Sequence, residues 1–118
     1  MDYQKLCSDV LKLDPKIRFT GVLDSKGDLL AEKSREDANL LNPDEGKMSI
    51  HYTYDVWTRF QNLNYKFGKE KSSITEYEEV TLIRVHLNGN LFLLSTDPDA
   101  DDPSILSKVK STIKEAQS

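Results

Sequence analysis

Residues 80–94 read VTLIRVHLNGNLFLL and carry the clearest pattern in the chain. Two β-rich runs, 80–87 and 91–94, flank Asn88-Gly89. Asn-Gly between such runs is the strongest short hairpin signal, because both central residues of a type I′ turn need positive φ. The run 91–94 is apolar throughout, so its side chains point to both faces of a sheet. We therefore predict a central strand there, with helices covering both faces.

A second hairpin is predicted nearer the N-terminus. Residues 17–23 alternate at the period of a strand, and residues 29–32 resume that pattern after Asp24-Ser25-Lys26-Gly27. The connection suits a type I turn closed by Gly27, which adopts positive φ without strain. Residues 33–42 are polar and carry little pattern, so a loop is predicted there.

Helices are predicted at both ends and in the middle of the chain. Apolar residues recur at helical spacing over 3–13, and Asp2 stands at the N-cap position. A long helix begins near Asn42-Pro43 and continues to about Gly68, and a last helix follows Pro103.

A weaker strand pattern occupies residues 71–77, with Ile74 as its only aliphatic residue. The resulting order is helix, two strands, helix, three strands, helix, which uses nearly all of the 118 residues. The sequence contains no internal repeat, low-complexity tract or linker. We therefore predict a single α+β domain over residues 1–118.

Composition and charge exclude several classes of protein. With 16 Lys+Arg against 20 Asp+Glu, the formal charge is −4, which argues against a dedicated nucleic-acid-binding protein. The longest apolar run, 91–94, is far shorter than the roughly 18 residues of a membrane helix, and the first residues lack the features of a signal peptide. We expect a cytoplasmic protein without membrane insertion.

The element order, the hairpin FTGVLDSKGDLL at 19–30 and the ending LFLLSTD at 91–97 together resemble the roadblock/LC7 domain. The resemblance spans the chain and implies a profilin-like fold of order α-β-β-α-β-β-β-α. In that fold a five-stranded antiparallel sheet has one central helix on one face and two terminal helices on the other. The stretches 12–19 and 77–84 are similar to a small archaeal group of uncharacterised proteins. None of these stretches carries a catalytic signature, so a function taken from the resemblance is an analogy.

An acidic stretch at residues 97–102 has the alternating carboxylates that begin an EF-hand calcium loop. However, Asp102 stands where that loop needs glycine, and Lys108 stands where its bidentate glutamate belongs. We therefore interpret the stretch as a solvated loop that caps the last helix.

The remaining reactive side chains form no known motif. His51 is interpreted as a surface residue, and His86 as a residue at the margin of the sheet. Cys7 lies in an apolar helix stripe, where a buried and inert thiol is expected. No catalytic, cofactor or metal site is predicted, and an enzyme is the least favoured class.

The long helix has more apolar surface than one sheet face can cover. Beside its main apolar stripe lies a second one, rotated by roughly 120° or more. This second stripe consists of Ile50, Tyr54, Trp57 and Gln61. Large aromatic anchors in such a patch favour a protein interface. The alternative is that Trp57 and Ile50 widen the core while Tyr54 keeps its hydroxyl in water.

The weak strand within residues 69–79 supports the same interpretation. Few aliphatic residues indicate a sheet edge, whose backbone groups must be guarded or paired. Lys69 and Lys71 begin this segment, whereas acidic residues end it. These acidic residues are Glu76, Glu78 and Glu79. A twofold antiparallel pairing of two copies would place each basic end beside an acidic end. The alternative is that the charges keep the edge monomeric.

We therefore predict a non-catalytic homodimer, or an assembly with another roadblock-like subunit. In roadblock domains the central helix and this strand join two subunits into one continuous sheet, and the resemblance implies a small GTPase or a motor-type scaffold as a further partner. The predicted interface residues are Ile50, Tyr54, Trp57, Gln61, Lys69, Lys71, Ile74, Glu76 and Glu78. A second hypothesis is a profilin-like or PAS-like sensor that binds a small ligand between Phe19, Tyr52 and Phe60.

Overall fold

The computed structural model of the chain describes residues 1–24, 26, 28–35 and 70–117. Its elements are α1 (Tyr3–Leu11), β1 (Ile17–Leu23), β2 (Leu29–Ser34), β3 (Ser72–Glu76), β4 (Thr81–Leu87), β5 (Asn90–Thr96) and α2 (Asp102–Gln117). The predicted long helix of residues 42–68 lies outside the described residues. The described elements before this segment (a helix and two strands) and after it (three strands and a helix) follow the predicted order.

The five strands form one antiparallel sheet in the order β2-β1-β5-β4-β3. The predicted α+β class and five-stranded antiparallel sheet are therefore confirmed. β5 is the middle strand, as its apolar run predicted. Residues 91–94 are each at most 3% exposed, because alternate side chains of a strand point to opposite faces and both faces are covered.

The turn between β4 and β5 has the backbone geometry that Asn-Gly predicted. Asn88 has a φ of 38° and Gly89 a φ of 90°, both in the left-handed region that asparagine and glycine tolerate best. Apart from its two chain neighbours, no atom of the described residues lies within 4 Å of the position that a Cβ of Gly89 would take, so the backbone conformation, rather than space, requires glycine there. Gly27, predicted to close the other hairpin turn, lies outside the described residues.

The hairpin of β1 and β2 is confirmed, but β2 is longer than predicted. It continues to Ser34, into the segment 33–42 for which the polar composition predicts a loop. Arg35 anchors the end of the strand, because its Nη2 donates to the C=O groups of Leu11 and Asp14 at 2.7 and 2.8 Å. Polar composition does not distinguish a loop from an exposed edge strand, which is the source of the error.

Helix α1 begins as predicted, after Asp2, whose carboxylate accepts a hydrogen bond from the N–H of Lys5 at 3.1 Å. It ends at Leu11 rather than at the predicted residue 13. The last turn tightens, because the N–H groups of Lys12 and Leu13 donate to the C=O groups three residues earlier, those of Asp9 and Val10, at 3.3 and 3.0 Å.

Both terminal helices lie on the same face of the sheet, where α1 contacts β1 and β2 and α2 contacts β4. Their buried side chains form one core with the inward residues of the strands. The helix members are Leu6, Cys7, Val10, Leu11, Ile105, Val109 and Ile113. The strand members are Ile17, Val22, Ala31, Ile83, Val85, Leu87, Phe92 and Leu94. The predicted placement of the two terminal helices is confirmed.

The opposite face of the sheet is buried as well. Leu23, Leu91 and Leu93 alternate with the residues that face the terminal helices, and they are 0%, 0% and 3% exposed. Burial on both faces is what the apolar run of β5 predicted. The sequence assigns the cover of this face to the helix predicted over residues 42–68, which lies outside the described residues.

The start of α2 agrees with only part of the prediction for the acidic stretch. Asp101 caps the helix, because its carboxylate accepts a hydrogen bond from the N–H of Ser104 at 3.2 Å. The description of the whole stretch as solvated is wrong for Asp102, which is 5% exposed. Its carboxylate accepts a hydrogen bond from the hydroxyl of Thr96 at 3.2 Å, since α2 begins directly against the end of β5.

Candidate protein-interaction interface

Strand β3 forms one edge of the sheet, as its sequence predicted. It pairs with β4 in a register that places Ile74 opposite Ile83. Within the described residues no strand lies on its other side. An edge of this kind matters because its outward backbone groups can hydrogen-bond to another chain.

The backbone groups of alternate β3 residues point away from β4. His86 donates its N–H to the C=O of Lys71 at 3.0 Å, and Tyr77 donates its N–H to the C=O of Val80 at 2.8 Å. The odd-numbered residues of this segment therefore bond toward β4, and in an antiparallel ladder the intervening residues point to the other side. The outward residues of β3 are Ser72, Ile74 and Glu76.

The predicted interface residues that the structure describes lie together at this edge. Ile74 is 36% exposed, which is unusual for a residue type that is most often buried. Lys71, Glu76 and Glu78 are exposed as well. The other predicted interface residues, Ile50, Tyr54, Trp57, Gln61 and Lys69, lie outside the described residues.

At the opposite edge of the sheet, α1 caps one outward carbonyl of β2. The helix packs against β1 and β2, and the side-chain amide of Gln4 donates to the C=O of Glu32 at 2.9 Å. This carbonyl points outward, because the N–H of Arg35 bonds toward β1 and alternate residues point the other way. Among the described residues, no comparable side-chain hydrogen bond reaches the outward groups of β3.

A polar cluster links the start of β3 to β4 on the face opposite the terminal helices. Arg84 is 7% exposed, and its Nε donates to the Oγ of Ser73 at 2.6 Å. Oε1 of Glu70 lies 3.9 Å from Nη2 of Arg84 and 3.7 Å from Nε2 of His86. The cluster ties the chain that enters the edge strand to its neighbour and therefore holds β3 in position.

His86 lies in this cluster on the interior strand β4, between Leu91 of β5 and Lys71, and not at the margin of the sheet that the sequence predicts. Burial lowers the pKa of His86 below its ordinary value of 6.5, and the nearby Glu70 carboxylate only partly offsets this effect. No pattern in the sequence marks Glu70, Ser73 and Arg84 as a group. The alternation of Arg84 and His86 on one strand face was the available signal, but their partner Glu70 lies before β3, and no sequence spacing links it to them.

The other reactive groups that the structure describes make local contacts, and His51 lies outside the described residues. Cys7 is 0% exposed, as predicted, and burial raises the pKa of its thiol. In the acidic stretch, Asp99 pairs with Lys16 at 3.0 Å, and Asp97 pairs with Arg18. In residues 1–24, 26, 28–35 and 70–117, no three His, Cys, Asp or Glu side chains lie close enough together to hold a metal ion. No helix in the same ranges is long and apolar enough to cross a membrane.

This arrangement of strands and terminal helices is the fold of the roadblock/LC7 domains, and profilins share it. A roadblock/LC7 domain from Streptomyces avermitilis matches with a TM-score of 0.77 and 14% identity, over 99% of this chain and 96% of that chain. The gliding protein MglB from Thermus thermophilus matches with a TM-score of 0.78 and 17% identity, over 92% of this chain and 81% of that chain. A further MglB structure that matches has a tetrameric arrangement.

Profilin II from Acanthamoeba castellanii matches less closely, with a TM-score of 0.63 and 9% identity, over 98% of this chain and 96% of that chain. No protein-family model matches the sequence, and a search of curated proteins found no match. At these identities the likeness establishes the fold, and the resemblance to an archaeal group remains a prediction.

Proposed function

We propose that the chain is a non-catalytic interaction module that forms a dimer by pairing the β3 edges of two copies. The observation that carries this proposal is the difference between the two edges of the sheet. At the β2 edge, Gln4 of α1 caps the outward carbonyl of Glu32, whereas no side chain among the described residues hydrogen-bonds to an outward group of β3. Natural proteins protect or pair their edge strands, and a second copy is the simplest partner for this one.

The charges around β3 support an antiparallel arrangement of the two copies. Lys71 precedes the strand, and Glu76 and Glu78 lie at and beyond its end, all exposed. Exposed ion pairs contribute only about 0–1 kcal/mol each. Their role is therefore to select the orientation of the partner, while backbone hydrogen bonds and apolar contacts supply the affinity.

We further propose that the dimer binds a small GTPase or a motor-type scaffold through another surface. This partner class comes from the resemblance to the roadblock family. The likeness of the fold to MglB, a gliding protein found in a tetrameric arrangement, is consistent with assembly into larger complexes. A fold alone does not establish a function, so the partner must be tested directly.

Sedimentation of the full chain at micromolar concentration tests the first step. We expect a dimer, and we expect Trp57→Glu combined with Tyr54→Lys to shift it toward monomer, because both residues belong to the predicted helix side of the interface. A monomeric wild-type chain, with hydrodynamics unchanged in the double variant, would refute the proposal.

Affinity capture with the purified chain tests the second step. We expect a small GTPase or a scaffold subunit to be retained, and the Trp57→Glu, Tyr54→Lys variant shows whether capture depends on the dimer. Capture of neither class by a chain that is demonstrably dimeric would overturn the partner while leaving the interaction module intact.

The alternative function, a small-ligand sensor, receives less support. Phe19, one of its three proposed lining residues, packs on its own strand, because a Cβ at Gly21 would lie 2.9 Å from the Phe19 ring. Tyr52 and Phe60 lie outside the described residues. Native mass spectrometry of freshly purified protein separates the two functions: a ligand-free dimer supports the interaction module, and a retained small molecule supports the sensor.

A further inference from the structure

We propose that the two copies pair in one register, in which Ile74 lies opposite Ile74 of the partner subunit. This inference rests on the proposed dimer and adds to it the alignment of the two edge strands. It follows from three independent features of β3: the direction of its backbone groups, the length of its regular segment and the side chains along it.

The direction of the backbone groups excludes half of all alignments. In an antiparallel pair, hydrogen-bonded residues face each other with both N–H and C=O groups. The outward groups of β3 belong to even-numbered residues, because residues 71 and 77 bond toward β4. An even-numbered residue must therefore face an even-numbered residue of the partner subunit. The twofold axis then passes midway between the two copies of one β3 residue, which face each other across it. It never passes between two neighbouring residues of the strand.

The length of β3 selects among the remaining alignments. With the axis at Ile74, Ser72 faces Glu76 of the partner subunit, and every outward residue of β3 is paired within Ser72–Glu76. Moving the axis to Thr75 pairs Ser72 with the partner's Glu78, which lies in a bend after the strand. Moving it to Ser73 pairs Glu76 with the partner's Glu70, which lies before the strand and places like charges together. Only with the axis at Ile74 does every outward residue of β3 face a residue of the partner's β3.

The side chains favour the same alignment. The exposed Ile74 side chains of the two copies would lie on the same sheet face and directly opposite each other, so each removes the other's apolar surface from water. Ser73 would face the partner's Thr75, a pair whose hydroxyl groups suit adjacent strands. With the axis at Thr75, by contrast, Ile74 would face the partner's Glu76 and its apolar surface would have no apolar partner directly opposite.

Disulfide trapping in the full chain distinguishes the alignments. In the proposed register, Ser73 and the partner's Thr75 form a non-hydrogen-bonded pair with Cα atoms about 4.5 Å apart, within the roughly 4.4–6.8 Å range that a disulfide spans. We expect the Ser73→Cys, Thr75→Cys double variant to become mostly covalent dimer on mild oxidation. Either single substitution should give only the background of the wild-type chain, whose Cys7 is buried.

The other trapping results would contradict the register, the interface or the dimer separately. Efficient trapping by Thr75→Cys alone would place the axis at Thr75, and trapping by Ser73→Cys alone would place it at Ser73; either result overturns the register and leaves the dimer. A chain that sediments as a dimer, with none of the three variants trapped, would show that the two copies do not pair through the centre of β3, and would overturn the register. A monomeric wild-type chain would overturn the proposed function itself.

Discussion

Replacement of Ile74 with alanine should raise the dissociation constant of the dimer by about 5- to 30-fold. Complete burial of an isoleucine side chain contributes about 1.5–3 kcal/mol. Since 36% of Ile74 is exposed in a single chain, self-association can bury at most this fraction, which corresponds to about 0.5–1 kcal/mol per side chain. Both copies contribute, so the dimer should lose about 1–2 kcal/mol.

Sedimentation equilibrium over a range of concentrations measures this change, and the other edge of the sheet provides the control. Leu30 is 47% exposed on β2, at the edge of the sheet opposite β3, so Leu30→Ala should leave the dissociation constant unchanged. A thermal melt of each variant confirms that the folded chain is being compared. Equal weakening by the two substitutions, or no weakening by Ile74→Ala, would refute the assignment of β3 as the paired edge.

Three further substitutions test the local structure. Removal of the N-cap of α2 by Asp101→Ala should lower the free energy of unfolding by about 1 kcal/mol, with a smaller loss for the exposed Asp99→Ala in chemical denaturation. Gly89→Ala should cost about 1–2 kcal/mol, because φ of 90° is unfavourable for a residue with a Cβ, whereas Asn88→Gly should be tolerated in the same assay. Because burial lowers the pKa of His86, the unfolded chain binds its proton more tightly. Stability should therefore fall as the pH drops below about 6.5, and this fall should be smaller in His86→Gln.

The features that the sequence predicted best are those that depend on neighbouring residues. Asn88-Gly89 specifies a turn because the two residues themselves tolerate positive φ. The apolar run 91–94 predicts a central strand because an alternating backbone must bury such a run on both faces. The sparse aliphatic content around Ile74 correctly predicted an edge.

The features that the sequence did not predict depend on residues that are distant along the chain. The polar composition at the end of β2 predicts a loop, although the Arg35 guanidinium bonds to the carbonyl of Leu11, 24 residues away. The acidic stretch predicts a solvated Asp102, although its carboxylate accepts a hydrogen bond from Thr96 at the end of β5. In both cases composition is compatible with two environments, and the contact that selects one of them is not encoded locally.

The same division applies to the candidate interface. By itself the sequence determined that β3 is a weak, edge-type strand with basic residues before it and acidic residues after it, because strand pattern and charge order are local properties. Only the tertiary structure decided which backbone groups of β3 point outward and that Gln4 caps a carbonyl of the other edge, that of Glu32, 28 positions away. The physical reason is that the direction of a backbone hydrogen bond is set by the strand that becomes the neighbour, and that neighbour is chosen by the packing of the whole chain.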